Sequence, residues 1–135
     1  KLADTRVNEI LSPFGLVLTP DTPYLHNTGA LATAGEINRA PRELPYSGGR
    51  AVGGGTPFAW QLDAAGTPAQ PFACWLKVEG GGRIVVMGEA MVSALLGSAE
   101  GQRLSGKPRD AAGTTYWGKD SRIFMEEVLA WLLAR

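Results

Sequence analysis

Residues 3–12, ADTRVNEILS, place Val7, Ile10 and Leu11 at helical spacing, and Asp4 favours the first turn of that helix before Pro13 closes the segment. The next apolar stretch, LVLT, is too short for a helix and ends at Pro20, so it predicts a buried strand. From Asp21 to Gly55 the pattern is interrupted by Pro23, Pro41 and Pro45; only ALATAGEINRA supports a marginal helix, across Gly35, and Arg50-Ala51-Val52 a brief strand. Two apolar extended runs, FACWLKV and RIVVMG, are joined by Glu79 to Gly82, whose glycines permit the positive φ of a tight turn. The unbroken run Ile84–Met87 predicts a central parallel strand covered on both faces. After it, Gly88-Glu89 turns into VSALL, a short helix, and residues 97–118 form a long polar, Gly-rich tract ending at Tyr116 and Trp117. Asp120 or Ser121 then caps a last helix, in which Phe124, Val128, Trp131 and Leu132 make an apolar stripe widened by Met125, Leu129 and Leu133.

Length and charge narrow the function classes. A chain of 135 residues suits one domain, 1–135. Lys plus Arg and Asp plus Glu both number 13, so there is no global basic field for nucleic acid or anionic lipid. No apolar run reaches the roughly 20 residues of a membrane span. Gly and Pro are abundant, at 18 and 9, yet 44% of residues are apolar and there are four tryptophans, enough for a packed core. One cysteine, Cys74, and one histidine, His26, supply neither an internal disulfide nor the ligand spacing of a metal site, and a single thiol does not read out a compartment.

The candidate chemistry is correspondingly sparse. Glu89 lies at the carboxyl end of the expected core strand, where open α/β sheets bind ligands; it suits a ligand site or a cap on the helix that follows. Arg122, in the first turn of the last helix, can reach an anion or Glu89, or stand solvated. His26 suits a general base or a solvated loop position. Cys74, mid-strand in an apolar run, reads as buried filler rather than a nucleophile served by His26 and Glu89. Gly53-Gly54-Gly55 reads as a flexible turn, because a phosphate cradle needs a helix after its glycines and Pro57 with FAWQL follows instead.

The stretches GGRIVVMGEAMVSALL and KDSRIFMEEVLAWLLAR resemble the C-terminal half of the class I glutamine amidotransferase-like superfamily, most closely a bacterial branch without assigned activity. Gly88-Glu89-Ala90-Met91 carries its strand-end motif, one alanine shorter, and Asp120, Arg122, Phe124, Val128, Trp131 and Leu132 match its last helix. NEILSPFGLVLTPD and LPYSGGRAV resemble its earlier segments. The resemblance implies an α/β fold, a flavodoxin-like three-layer sandwich with a mostly parallel sheet, lacking the opening strand and loop that precede the first helix in full-length relatives. It also implies a polar site on the last helix, altered here because Ser121, Glu127 and Ala130 replace the family's usual residues. Cys74 lacks the Gly-x-Cys-x-Gly elbow that presents a catalytic thiolate.

Two function classes follow. One is a non-catalytic binding or scaffold domain whose small-molecule ligand would meet Glu89, Arg122, His26 and Ser121. The other is a hydrolase-like enzyme whose catalytic loop lies upstream or in a partner chain. Neither calls for a metal or cofactor. With few strands to cover two apolar helices, the sheet is expected to be completed by a missing N-terminal region or by self-association into a homo-oligomer.

Overall fold

The structure is a computed structural model and describes residues 6–25, 29–44, 50–88 and 120–134. Its elements in chain order are α1 (Val7–Leu11), a 3-10 turn (Ser12–Phe14), β1 (Val17–Asp21), a second 3-10 turn (Pro23–Leu25), β2 (Ala30–Ala32), β3 (Arg42–Leu44), β4 (Arg50–Gly53), β5 (Thr56–Leu62), β6 (Pro68–Lys77), β7 (Arg83–Met87) and α2 (Ser121–Leu133). Strands β3-β2-β5-β6-β7 form one sheet in that order, and β1 with β4 forms a two-stranded ribbon. Every pairing is antiparallel.

This overturns the flavodoxin-like α/β sandwich with a mostly parallel sheet. Parallel strands need crossover connections of a dozen or more residues, whereas β5, β6 and β7 follow one another through tight turns. The turn after β6 is closed by Val78 N–H donating to the Gly82 carbonyl at 2.7 Å, with Gly80 and Gly81 at φ of 92° and 104°. The expected central strand Ile84–Met87 is β7, an antiparallel strand at the edge of the sheet. Its unbroken apolar run has a different cause. Val86, with half-buried Ile84, packs into a core against the ribbon, while Val85 and Met87 turn to a core under α2. An apolar run thus reports that both faces are covered but not which way the neighbours run.

The marginal helix at ALATAGEINRA is absent: Ala30–Ala32 is β2, and residues 33–41 form a turn-rich loop. Three residues in β2 pair with β3 on one side and β5 on the other, and those ladders outweigh the weak propensity of a stretch broken by Gly35. The strands at LVLT and RAV, the hairpin around Glu79–Gly82 and the last helix all occur as expected. The short helix at VSALL and the tract 97–118 lie outside the described residues.

Two cores sandwich the sheet. On the α2 side Phe58, Phe72, Phe124, Val128 and Trp131 are buried with Leu44 and Ile37, and the Phe58 and Phe124 rings stack at 5.8 Å. The β5–β6 register slips by one residue at Phe58 and again at Phe72, so each aromatic is an extra residue on its own strand. On the ribbon side Leu16, Leu18, Val52, Cys74 and Val86 form a smaller core. Gly54 lets the β4–β5 turn approach the end of the first 3-10 turn: at φ +91°, an added Cβ would stand 1.8 Å from the Gly15 carbonyl oxygen. Among the described residues no helix is long and apolar enough to cross a membrane.

Candidate functional site

Among the described residues, chemistry-bearing side chains meet where β6, β7, the 33–41 loop and the end of α2 converge. Trp75 and Lys77 are two apart on β6 and therefore share a face, and the hairpin register sets Lys77 directly opposite Arg83. Two cations facing each other across a ladder would repel. Here each is drawn over an indole ring: Lys77 Nζ lies 5.6 Å from the Trp75 centroid and the Arg83 guanidinium 5.2 Å from that of Trp131. The two indoles meet at 5.4 Å, tilted by 57°. Arg83 also donates to the Trp131 carbonyl, an oxygen in the last turn of α2 that has no helical N–H to accept from.

Glu36, from the loop, completes the cluster. Its carboxylate accepts from Lys77 Nζ at 2.6 Å and from the Trp131 indole N–H at 3.3 Å. Those bonds, led by Lys77, hold the Glu36 carboxyl below the usual glutamate range, so it stays an anion and a hydrogen-bond acceptor rather than a proton donor at neutral pH. Lys77 and Glu36 are each about half exposed, at 53% and 43%, while Trp131 is buried beneath them. The surface therefore offers a cation, a carboxylate and part of an indole face side by side.

A second charged contact anchors the middle of α2. Arg42 grips Glu127 through two bonds, Nη2 to Oε1 at 2.7 Å and Nε to Oε2 at 3.1 Å, and the Arg39 backbone N–H donates to the same carboxylate at 3.3 Å. The Arg42 guanidinium holds the Glu127 carboxyl below its ordinary value. Asp120 stands at the N-cap position of α2 but makes no cap bond; its carboxylate accepts the Glu43 backbone N–H of β3 at 2.9 Å.

The residues singled out from sequence are not drawn into either cluster. Glu89 and His26 lie outside the described residues. Ser121 is buried and has a partner, whereas its neighbour Arg122 projects into solvent and pairs with Glu126 one turn on, at 2.7 Å. Cys74 is 1% exposed in the ribbon-side core, and burial pushes its thiol up despite a bond from the Gly55 backbone, so no thiolate is available at neutral pH. Gly53-Gly54-Gly55 turns β4 into β5, another strand rather than a helix, so no phosphate cradle forms. Among the described residues no three His, Cys, Asp or Glu side chains group as metal ligands.

Part of the cluster was legible before the fold. A tight turn at Glu79–Gly82 pairs Lys77 with Arg83, and period two puts Trp75 beside Lys77; Glu36 carries no such signal, because only the path of the 33–41 loop brings it there. Comparison with family models, with curated proteins and with solved structures returns no match. The amidotransferase-like resemblance thus stands on its quoted residues alone.

Proposed function

We propose that this chain is a non-catalytic binding or scaffold module, and that it meets its ligand at the Trp75–Lys77–Glu36 surface over Trp131. The observation that carries the reading is the state of that surface. Its carboxylate is held anionic by Lys77 and the Trp131 indole, its cations are seated on rings, and its polar tips still reach solvent. Such a surface recognises a polar ligand with an apolar face, through an ion pair and indole contact, while Cys74 stays protonated in the opposite core. The test has two arms. Titration with dipeptides bearing an aromatic side chain and a free carboxylate, followed by tryptophan fluorescence and amide shifts, should perturb Trp75 and Lys77 and lose that response in Lys77→Ala. Incubation with glutamine or with p-nitrophenyl esters should release no product above the denatured-protein background. Turnover removed by a single substitution in the folded chain would replace this reading with the hydrolase-like one.

A further inference from the structure

Of the four strands that end the two sheets, β1, β3 and β7 are guarded unequally. An edge strand presents unpaired N–H and C=O groups, and proteins blunt such edges with short strands, proline, bulges or side chains that occupy the backbone groups. Strand β3 has these devices: it is three residues long, follows Pro41, and gives its Glu43 N–H to the Asp120 carboxylate. Strand β1 contains Pro20 and a register irregularity between Leu18 and Asp21. Strand β7, RIVVM, has neither proline nor bulge, and its register with β6 is unbroken over five residues. Its one charge, Arg83, is turned onto Trp131.

The direction of the free groups can be read from the ladder. The bonds from Val78 N–H to the Gly82 carbonyl and from Gly88 N–H to the Phe72 carbonyl, each 2.7 Å, bracket the strand. Antiparallel bonding alternates residue by residue, so Ile84 and Val86 bond inward to β6, while Arg83, Val85 and Met87 direct their N–H and C=O outward. Among the described residues those outward groups have no partner.

We propose that β7 pairs with β7 of a second copy of this chain, antiparallel and centred on Val85. The strand is complementary to itself about that residue. A two-fold axis at Val85 sets Val85 against Val85, Ile84 against Val86, and Arg83 against Met87 of the other copy. Each outward N–H and C=O finds its counterpart, the two arginines stay at opposite ends, and apolar residues meet on both faces. The sheet then continues across the axis, with the cores on each face extended from one copy to the next. This pairing uses the backbone edge of β7, whereas the proposed ligand surface is formed by the Trp75, Lys77 and Glu36 side chains on the α2 side of the sheet.

Two variants test it in the full chain. Proline is tolerated on an edge strand where its missing N–H faced solvent, so Val85→Pro should keep the monomer fold, judged by circular dichroism, while removing an outward donor and blocking the approach. By sedimentation over rising concentration, the parent chain should shift from 14.3 kDa towards twice that mass, and Val85→Pro should stay at 14.3 kDa. In a Cys74→Ala background, Val85→Cys should be joined to its copy by a short thiol-to-thiol linker, and Glu43→Cys on the guarded edge should not. A parent chain monomeric at every concentration, a Val85→Pro chain that dimerises like the parent, or linkage through Glu43→Cys rather than Val85→Cys would each overturn the proposal. Should Val85→Pro fail to fold, the linkage pattern alone decides.

Discussion

The two faces of the five-stranded sheet are held by different physics. Under α2 the contacts are large aromatics, stacked or tilted on one another, with Arg42 paired to Glu127 at mid-helix and Lys77 paired to Glu36 beside Trp131 near the helix end. Against the ribbon the core is small and aliphatic, and the polar contacts are neutral or cation-to-carbonyl. The Asn8 side chain closes a two-way amide clamp on Leu18, at 2.8 and 3.0 Å, and Arg50 donates to the Thr19 carbonyl at 2.9 Å. No residue of α1 is buried, and Val7 and Ile10 are exposed. Free energy of opening follows buried apolar contact, so the helix face should define global unfolding and the ribbon should open first.

The largest test of that difference is Phe124→Ala. Phe124 is fully buried and stacked on Phe58, and removing a core phenyl ring costs about 3–5 kcal/mol where the site cannot collapse. Leu16→Ala on the ribbon side should cost less, about 2 kcal/mol, the low end for a buried leucine, because the ribbon can settle towards the sheet. Urea denaturation measures both. Equal losses would show that the two faces form a single cooperative core and dissolve the comparison.

Next is Gly54→Ala. The added Cβ would overlap the Gly15 carbonyl, and φ +91° is itself unfavourable for alanine, a strain of about 1–3 kcal/mol. The backbone contact it disturbs joins the β4–β5 turn to Gly15, at the end of the first 3-10 turn. Amide exchange should therefore rise at Leu18 and Val52 while Phe124 and Val128 keep their protection. A loss spread equally over α2 would place the turn in the helix-face core instead.

That contrast also explains what the sequence could convey. Two apolar runs either side of the glycines at Glu79–Gly82 made the β6–β7 hairpin readable, and the i, i+4, i+7 stripe made α2 readable, with Phe124 and Trp131 as its core anchors. Direction was carried only by that tight turn, which permits antiparallel pairing alone, and not by the apolar run from which a parallel strand is expected. Ile84–Met87 looks the same whether helices flank a parallel sheet or a helix and a ribbon flank an antiparallel one. For the candidate site, Trp75, Lys77 and Arg83 follow from one hairpin register. Glu36, like the grip of Arg42 on Glu127, joins residues some 40 to 90 positions apart, and local patterning holds no information on such pairs.

A smaller effect belongs to Cys74, which bridges the comparison because it sits on β6 but packs towards the ribbon. Cys74→Ala removes only a sulfur from the smaller core, a loss of about 1 kcal/mol. The thiol, protonated and covered, should react with a small electrophile only when the ribbon lifts. Labelling in the native state therefore reads ribbon opening directly. Gly54→Ala should speed it, and rapid labelling of the parent chain would mean that Cys74 is not enclosed at all.

Acid separates the faces by the smallest margin and with a definite sign. The carboxyls of Glu36 and Glu127 both sit below the ordinary value of 4.5 in the folded chain, through Lys77 and through Arg42 respectively. A carboxyl depressed by folding stabilises fully above its unfolded value, and that contribution fades as pH falls through the folded one. Both pairs clamp the helix face, whereas the ribbon's Asn8 and Thr19 contacts carry no carboxylate. As pH drops from neutral to below 4.5, amide protection in α2 should therefore fall relative to that in β1, and Glu127→Gln should flatten the change around the Arg42 contact at mid-helix. Salt should mute the response of the half-exposed Lys77–Glu36 pair more than that of the better covered Arg42–Glu127 pair. If β1 lost protection first on acidification, the charged contacts would not be what distinguishes the two faces, and the difference would rest on apolar packing alone.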